Sequence, residues 1–283
     1  RLQGNYTLAP GSSLTGAGQV IFDSGTIGVD GTYNITGTNA FIGATVNFIG
    51  SYTLDGLHLH VQGGSVFLPN ALSVPQLTIS SGTLNSSNTI TVSGPLNFVG
   101  GSLTGAGDVS VSGVVSATSV NAKSTAGNVI FATDVTTSGI GGFTSEATAA
   151  AKATQLGDTV LVQNGASALV TGNVVTTAGF SGSIRPGINV TGTATINITG
   201  KVDAASAGND IDFTALNGAI TIGGAVGSST TAMGDLIASG NTSFTASSTV
   251  AVEQLKLSNF GSSISFADAV KVGGNIGADI SAT

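Results

Sequence analysis

Two histidines stand two apart in Leu57-His58-Leu59-His60-Val61, and the 283-residue chain contains no others. On a strand, residues i and i+2 share a face ~6.7 Å apart. Both rings therefore reach one metal ion, with Asp55 nearby. A structural or catalytic metal site takes three or four ligands and hydrogen-bonded support behind them. The pair supplies two. With Leu57, Leu59 and Val61 on the inner side, both imidazoles are expected to face solvent without a metal.

Carboxylates cluster at Asn209-Asp210-Ile211-Asp212, where Gly-Asn-Asp matches one corner of the Gly/Asp-rich calcium repeat. That repeat binds between successive copies, and one copy reads as a turn. Glycosidic chemistry needs grouped carboxylates, commonly beside Arg or Lys. The two arginines, Arg1 and Arg185, stand apart, and Asp23, Asp30, Asp55, Asp108 and Asp134 are single. No carboxylate pair is expected to recur from coil to coil. A Gly-X-Ser-X-Gly elbow with a histidine partner is missing, and zero Cys removes disulfides, thiolate zinc sites and cysteine nucleophiles. No catalytic, cofactor-binding or metal residue is assigned, no cofactor is expected, and the chain is not read as an enzyme.

Thr-X-Thr pairs at Thr191-Gly192-Thr193-Ala194-Thr195 and Thr89-Ile90-Thr91 would suit ice only if stacked in register on many coils. They do not repeat so, and read as solvated threonines. Asn5, Asn34, Asn85, Asn189, Asn197 and Asn241 open Asn-X-Ser/Thr acceptor sites, expected in number when Ser and Thr total 34 and 37.

Charged residues make up 7% of the chain, against roughly 25% in ordinary soluble domains. Such a surface does not suit a helical bundle, whose solvent side needs Lys, Glu and Arg. Seven basic residues against fourteen acidic ones, with net charge −7, build no phosphate-tracking groove, so no nucleic acid is expected. An apolar fraction of 41% can bury a core, which disfavours disorder. No run of ~18 apolar residues marks a membrane span. The only methionine is Met233, so Arg1 is read as following processing or as lying within a longer chain. Few charges, abundant Ser, Thr, Gly and Asn and an acidic balance point to an extracellular or cell-surface location.

The elements that must carry these residues are short strands. Val20 and Phe22, Val46 and Phe48, Leu77 and Ile79, Ile90 and Val92, and Leu96 and Phe98 sit two apart, the period of a strand with one buried side. Gly, Asn or Ser-Gly ends each run. The equal spacing of Val20, Tyr33 and Val46 suggests a short regular step. In the second half Val250/Val252 return at Val270/Val272, and Phe244 returns at Ile264 by the same step. Ile196/Ile198 return at Ile220/Ile222 by a slightly longer one. Such repeats of short strands indicate a solenoid, whose coils bury their apolar sides only by stacking. Residues 11–20 echo at 100–109, with Leu14 to Gly18 identical to Leu103 to Gly107, and the Gly-X-Gly there is expected to be a positive-φ corner. Thr144 to Gly157 is Ala-rich without period two. Ser145 or Thr144 as a cap, Glu146 in the first turn and Gly157 at the close predict a short helical excursion near 145–156. The organisation read is coils over 1–115, a junction with that helix over 116–160, and coils over 161–283, as one continuous solenoid.

Ala207-Gly208-Asn209-Asp210-Ile211-Asp212-Phe213, then Asn217-Gly218-Ala219-Ile220-Thr221-Ile222-Gly223-Gly224, resemble repeats of exported bacterial adhesins of the filamentous haemagglutinin kind. Gly234-Asp235-Leu236-Ile237 and Ser263-Ile264-Ser265-Phe266 continue the likeness, and the Leu-Thr-Gly-Ala-Gly echo resembles autotransporter passenger repeats. The resemblance implies a right-handed parallel β-helix with a role in adhesion or extracellular scaffolding.

Residues 2–8 and 276–283 read as strand rather than cap, and unpaired strand edges template pairing with another chain. The expected function is that of an extracellular structural protein, a subunit of a surface fibre, sheath or biofilm matrix that self-associates through its ends. The alternative is an adhesin stalk or a glycan-binding passenger or tail-fibre domain, which would need outward aromatics among Tyr6, Tyr33, Tyr52 and the phenylalanines.

Overall fold

The computed structural model describes the chain except for residues 55, 133–134, 148–152, 157–159, 163–166, 172, 177–186, 206–210, 229–231, 241, 259–262, 273–275 and 280–283. Every strand pairing among the described residues is parallel, and strands within the stack pair with strands one coil before and one coil after, as Leu96–Phe98 does. The fold is an all-β solenoid of stacked coils. Each coil has three sides. The first side begins with Leu2–Gln3, Val20–Ser24 and Thr38–Phe41; the second with Tyr6–Leu8, Thr26–Val29 and Thr45–Phe48; the third with Ser13–Gly16, Thr32–Ile35 and Tyr52–Thr53.

Alternation sets which residues face the lumen. In Thr45–Phe48, Val46 and Phe48 are buried while Asn47 is exposed. Stacking then sets what each inward residue touches. Leu77 pairs with Leu96 and Ile79 with Phe98, and Leu96 pairs in turn with Val115 by an equal step. The second-half repeats fall in register as read: Val250 and Val252 pair with Val270 and Val272, Phe244 with Ile264, Ile196 and Ile198 with Ile220 and Ile222. Three sides explain the shorter step of the first half. Val20, Tyr33 and Val46 lie on the first, third and second sides, so each step advances the chain by two sides, not by a coil. The long-range echo has the same cause. Ser13–Gly16 pairs on the third side and Ser102–Gly105 on the second, four coils and two further sides along.

The core of the first coils is aromatic. Phe22 and Phe41, on consecutive coils, stack with centroids 4.7 Å apart and planes 1° apart, and Phe48 meets both edge-on. Tyr33 is fully buried beside them, and burial pushes its hydroxyl well above the usual phenol range. It donates to Asn39 Oδ1, and Asn39 Nδ2 donates to the Ile35 carbonyl at 3.2 Å, so the buried amide is satisfied. Phe22, Phe48, Phe98 and Phe244 are buried, and Phe266 packs partly buried against the same core.

The described part of the Ala-rich segment is strand, not helix. Its described residues belong to Val135–Ala147 and Ala153–Leu156, and residues 148–152 and Gly157 lie outside the description. Ser145, Ala147, Thr154 and Leu156 are buried, and the Ser145 and Thr154 hydroxyls hydrogen-bond at 2.8 Å. Lys123 on the preceding coil bonds Glu146 at 3.2 Å. Helix propensity is a weak prior. Paired coils on either side, which leave the edges of this segment as the only continuation of the ladder, override it.

Corner glycines let the coils approach. Between the first and second sides, Gly25, Gly64 and Gly101 take φ of 90°, 72° and 97°. A Cβ on Gly64 would lie 2.1 Å from the Ala44 carbonyl oxygen, and one on Gly101 2.1 Å from that of Gly82. The echoed Gly-X-Gly meets the expectation at one position only: Gly16 takes φ 156°, while Gly18, Gly105 and Gly107 keep ordinary φ.

Two substitutions test this packing. Phe244→Ala, which removes ring contacts to Phe213 and Phe266, should lower urea-unfolding stability by about 3–5 kcal/mol. Gly64→Ala should cost about 1–2 kcal/mol from the left-handed backbone alone, and more from the clash with the Ala44 carbonyl. Unchanged unfolding of either variant would show that the side assignment is wrong.

Candidate functional site

The outward residues are the ones available for chemistry, and each stands in an axial file with its equivalents on neighbouring coils. His58 and His60 lie on the first side, on His58–Val61, with Leu59 and Val61 buried beneath them. Leu57 is not inward: it is 76% exposed, at the corner where the strand alternation has not yet begun. The two rings stack with centroids 5.8 Å apart and planes 3° apart. His58 Nε2 lies 2.9 Å from Thr78 Oγ1 and His60 Nε2 3.2 Å from Ser80 Oγ, both hydroxyls on the next coil. Burial lowers the affinity of both rings for a proton, and His60 adds a repulsive contribution at His58. Asp55 lies outside the described residues. Among those described, no group of three or more His, Cys, Asp or Glu is placed to hold a metal.

The acidic residues are less scattered than the sequence suggested. Asp210 and Asn209 fall outside the description. Asp212 lies one position before Phe213, and the Phe213–Leu236 pairing sets it beside Asp235 on the next coil. This overturns the expectation that no carboxylate pair recurs. The repeat was hidden because one partner sits in Asp-Ile-Asp and the other in Gly-Asp-Leu. Both carboxylates are engaged. Asp212 Oδ1 accepts the Asp235 N–H at 2.7 Å, and Asp235 Oδ2 receives Lys256 Nζ at 2.6 Å. The arrangement bridges three coils. Arg1 bonds Asp23 at 2.7 Å across one coil, and Asp108 Oδ1 accepts the Asn128 N–H at 2.8 Å. Arg185 and Asp134 lie outside the described residues.

The Thr-X-Thr pairs do not form arrays. Thr191 ends Gly187–Thr191 on the first side, Thr193 is a left-handed corner with φ 63°, and Thr195 begins Thr195–Ile198 on the second side. Thr91 pairs with Ser73 and Ser110. A different hydroxyl file was missed: Thr26, Thr45, Ser65, Thr83 and Ser102 stand in register on five consecutive coils of the second side. Their near-regular step becomes visible only once the coil length is known. The companion file two positions on is Gly28, Asn47, Phe67, Asn85 and Thr104, so hydroxyl pairs are not continued. Of the glycosylation acceptors, Asn34 and Asn197 are exposed and Asn85 and Asn189 half-buried. Asn5 is committed to the Thr26 N–H at 2.8 Å, and Asn241 is not described.

No helix among the described residues is long and apolar enough to cross a membrane. What the outer surface offers is neutral hydroxyls and amides in axial files, with Arg1–Asp23, Lys123–Glu146 and Lys256–Asp235 paired between coils and Lys201–Asp203 within one coil.

The histidines carry a pH prediction. In the unfolded chain both titrate at the ordinary value, and in the fold both titrate lower. The unfolded state therefore takes up protons first, and stability falls as pH drops through the ordinary histidine range towards the lowered folded values. His58→Gln/His60→Gln should leave the melting temperature unchanged near pH 7.5 and flatten its decline between pH 7 and 5. A large loss at pH 7.5, or a loss on chelator treatment of the unmodified protein, would contradict this reading. No family model, curated protein or solved structure matches the chain, so its role is argued from this geometry.

Proposed function

We propose that this chain is an extracellular structural protein, a rod-shaped subunit of a surface fibre, sheath or matrix that extends by stacking coil on coil. The carrying observation is the parallel stacking itself, in which each strand offers its edge to the next coil, as Leu77–Ile79 does to Leu96–Phe98 and Leu96–Phe98 does to Val115–Ala117. Leu2–Gln3, Tyr6–Leu8 and Ser13–Gly16 each pair with one strand, on the following coil. Leu2, Leu8 and Leu14 pack against the core yet stay half-exposed, and Tyr6 is 49% exposed. The Leu8 carbonyl accepts the N–H groups of Asp30 and Gly31 at 2.9 and 3.0 Å. Backbone groups alternate along a strand, so Thr7 presents its N–H and C=O to the side away from the following coil. The edge thus offers hydrogen-bonding groups and apolar surface together, which is what a further coil needs.

A second copy is the occupant this reading assigns. The exterior supports it: net charge −7 over 283 residues repels a neighbour weakly where the Debye length is ~8 Å. Few charges, an acidic balance and a hydroxyl-rich surface support the extracellular setting.

Sedimentation equilibrium on the purified chain tests the reading. Concentration-dependent association is expected, little altered between low and moderate salt. Thr7→Pro should fold normally yet weaken association by roughly tenfold or more, since it removes one ladder donor worth about 1 kcal/mol and sets a ring against the approaching strand. A monomer at high concentration would sink the assembly and leave the stalk of a longer adhesin as the surviving role.

A further inference from the structure

The second side carries one aromatic ring where its neighbours carry small polar groups. Phe67 lies on Ser65–Leu68 between the inward Val66 and Leu68, and it is 39% exposed. Its register partners are Asn47 on the coil before and Asn85 on the coil after. Three consecutive coils thus present carboxamide, phenyl and carboxamide in one file, ~4.8 Å apart. Among the described residues, no side chain or backbone group engages either carboxamide. With Pro69 and Ser87 they surround a shallow depression of about 200 Å3, whose described lining carries no charged residue.

We propose that this depression is a subsite for one ring of a neutral glycan, a binding function beyond that of a structural rod. A single exposed apolar residue needs no explanation. The observation with content is the phenyl bracketed by two unengaged carboxamides. The C–H face of a pyranose is apolar and packs on an aromatic ring, while its hydroxyls each need a donor and an acceptor. A carboxamide supplies both. Thr45, Ser65 and Thr83, two positions before Asn47, Phe67 and Asn85, add a row of hydroxyls alongside. The depression is smaller than the ~300–1,000 Å3 of a drug-sized site, so it takes one ring while the rest of the glycan lies along the hydroxyl file. With no cation in the described lining, acidic sugars gain nothing there.

Saturation-transfer NMR on the intact chain, with neutral trisaccharides of glucose, galactose and N-acetylglucosamine as probes, reads this directly. Transfer to the ring protons of at least one trisaccharide is expected. Phe67→Ala should weaken its binding roughly tenfold, and Asn47→Ala or Asn85→Ala each about fivefold, with melting temperatures unchanged because all three residues face outward. Phe67→Tyr, which keeps the ring, should retain binding. No transfer from any of the three sugars, equal binding by Phe67→Ala, or saturation transfer to a phenylalanine-containing peptide in place of the sugars would overturn the proposal. The outcome does not depend on axial association, which sedimentation reads separately.

Discussion

Axial register is the constraint on which everything else in this molecule depends. Parallel strands stack at ~4.8 Å, so every inward side chain must tolerate its equivalent on the next coil at that distance. Leucine over leucine and valine over leucine do so, as at Leu77–Leu96–Val115. Phenyl over phenyl does so when the planes are parallel, as Phe22 and Phe41 are. No single coil buries its apolar surface, because each lies open above and below until its neighbours arrive. Stability is therefore a property of the stack, and a lost ring such as Phe244 is felt by the coils on both sides.

The register also decides what the corners are made of. Where the chain turns between sides, backbone lies directly on backbone, and the close carbonyls under Gly64 and Gly101 leave no room for a Cβ. Coil length, by contrast, varies while the strand register is kept. The coil from Leu77 to Leu96 is short and the one from Val160 to Ile188 is much longer, and the pairing is in register in both places. Length variation of this kind blurs a sequence repeat without disturbing the fold.

That explains how much of the structure the sequence discloses. Alternation and the steps at Val250–Val270 and Ile196–Ile220 suffice for the solenoid, because two inward residues per strand leave a pattern that survives any corner length. The shorter step through Val20, Tyr33 and Val46 misleads because inward residues look alike on all three sides. The helix expected near 145–156 fails because alanine says nothing of what lies above and below it. The outward groupings are the least legible. Asp212 and Asp235 meet only through coil pairing. Phe67 hides its parity inside Val66-Phe67-Leu68, three apolar residues in a row, so the aromatic most relevant to ligand chemistry looks like core.

The scarcity of charge follows from the same geometry. An outward side chain has file neighbours ~4.8 Å away on two coils. Two like charges at about that distance cost ~1 kcal/mol even in bulk water, and more beside protein. A file of lysines or of aspartates would push the stack apart along its whole length, whereas Ser, Thr and Asn stack without repulsion, as the Thr26 to Ser102 file does. Charge is tolerated where the next coil supplies the opposite sign: Arg1 with Asp23, Lys123 with Glu146, Lys256 with Asp235. Even the adjacent pair Asp212 and Asp235 is met by Lys256 on the third coil. Each such pair is worth at most about 1 kcal/mol at the surface, so the pairs do not hold the rod together. They allow a few charges on a surface that stacking otherwise keeps neutral, and that neutral, hydroxyl-rich surface is the one on which a sugar ring or a second rod would find its contacts.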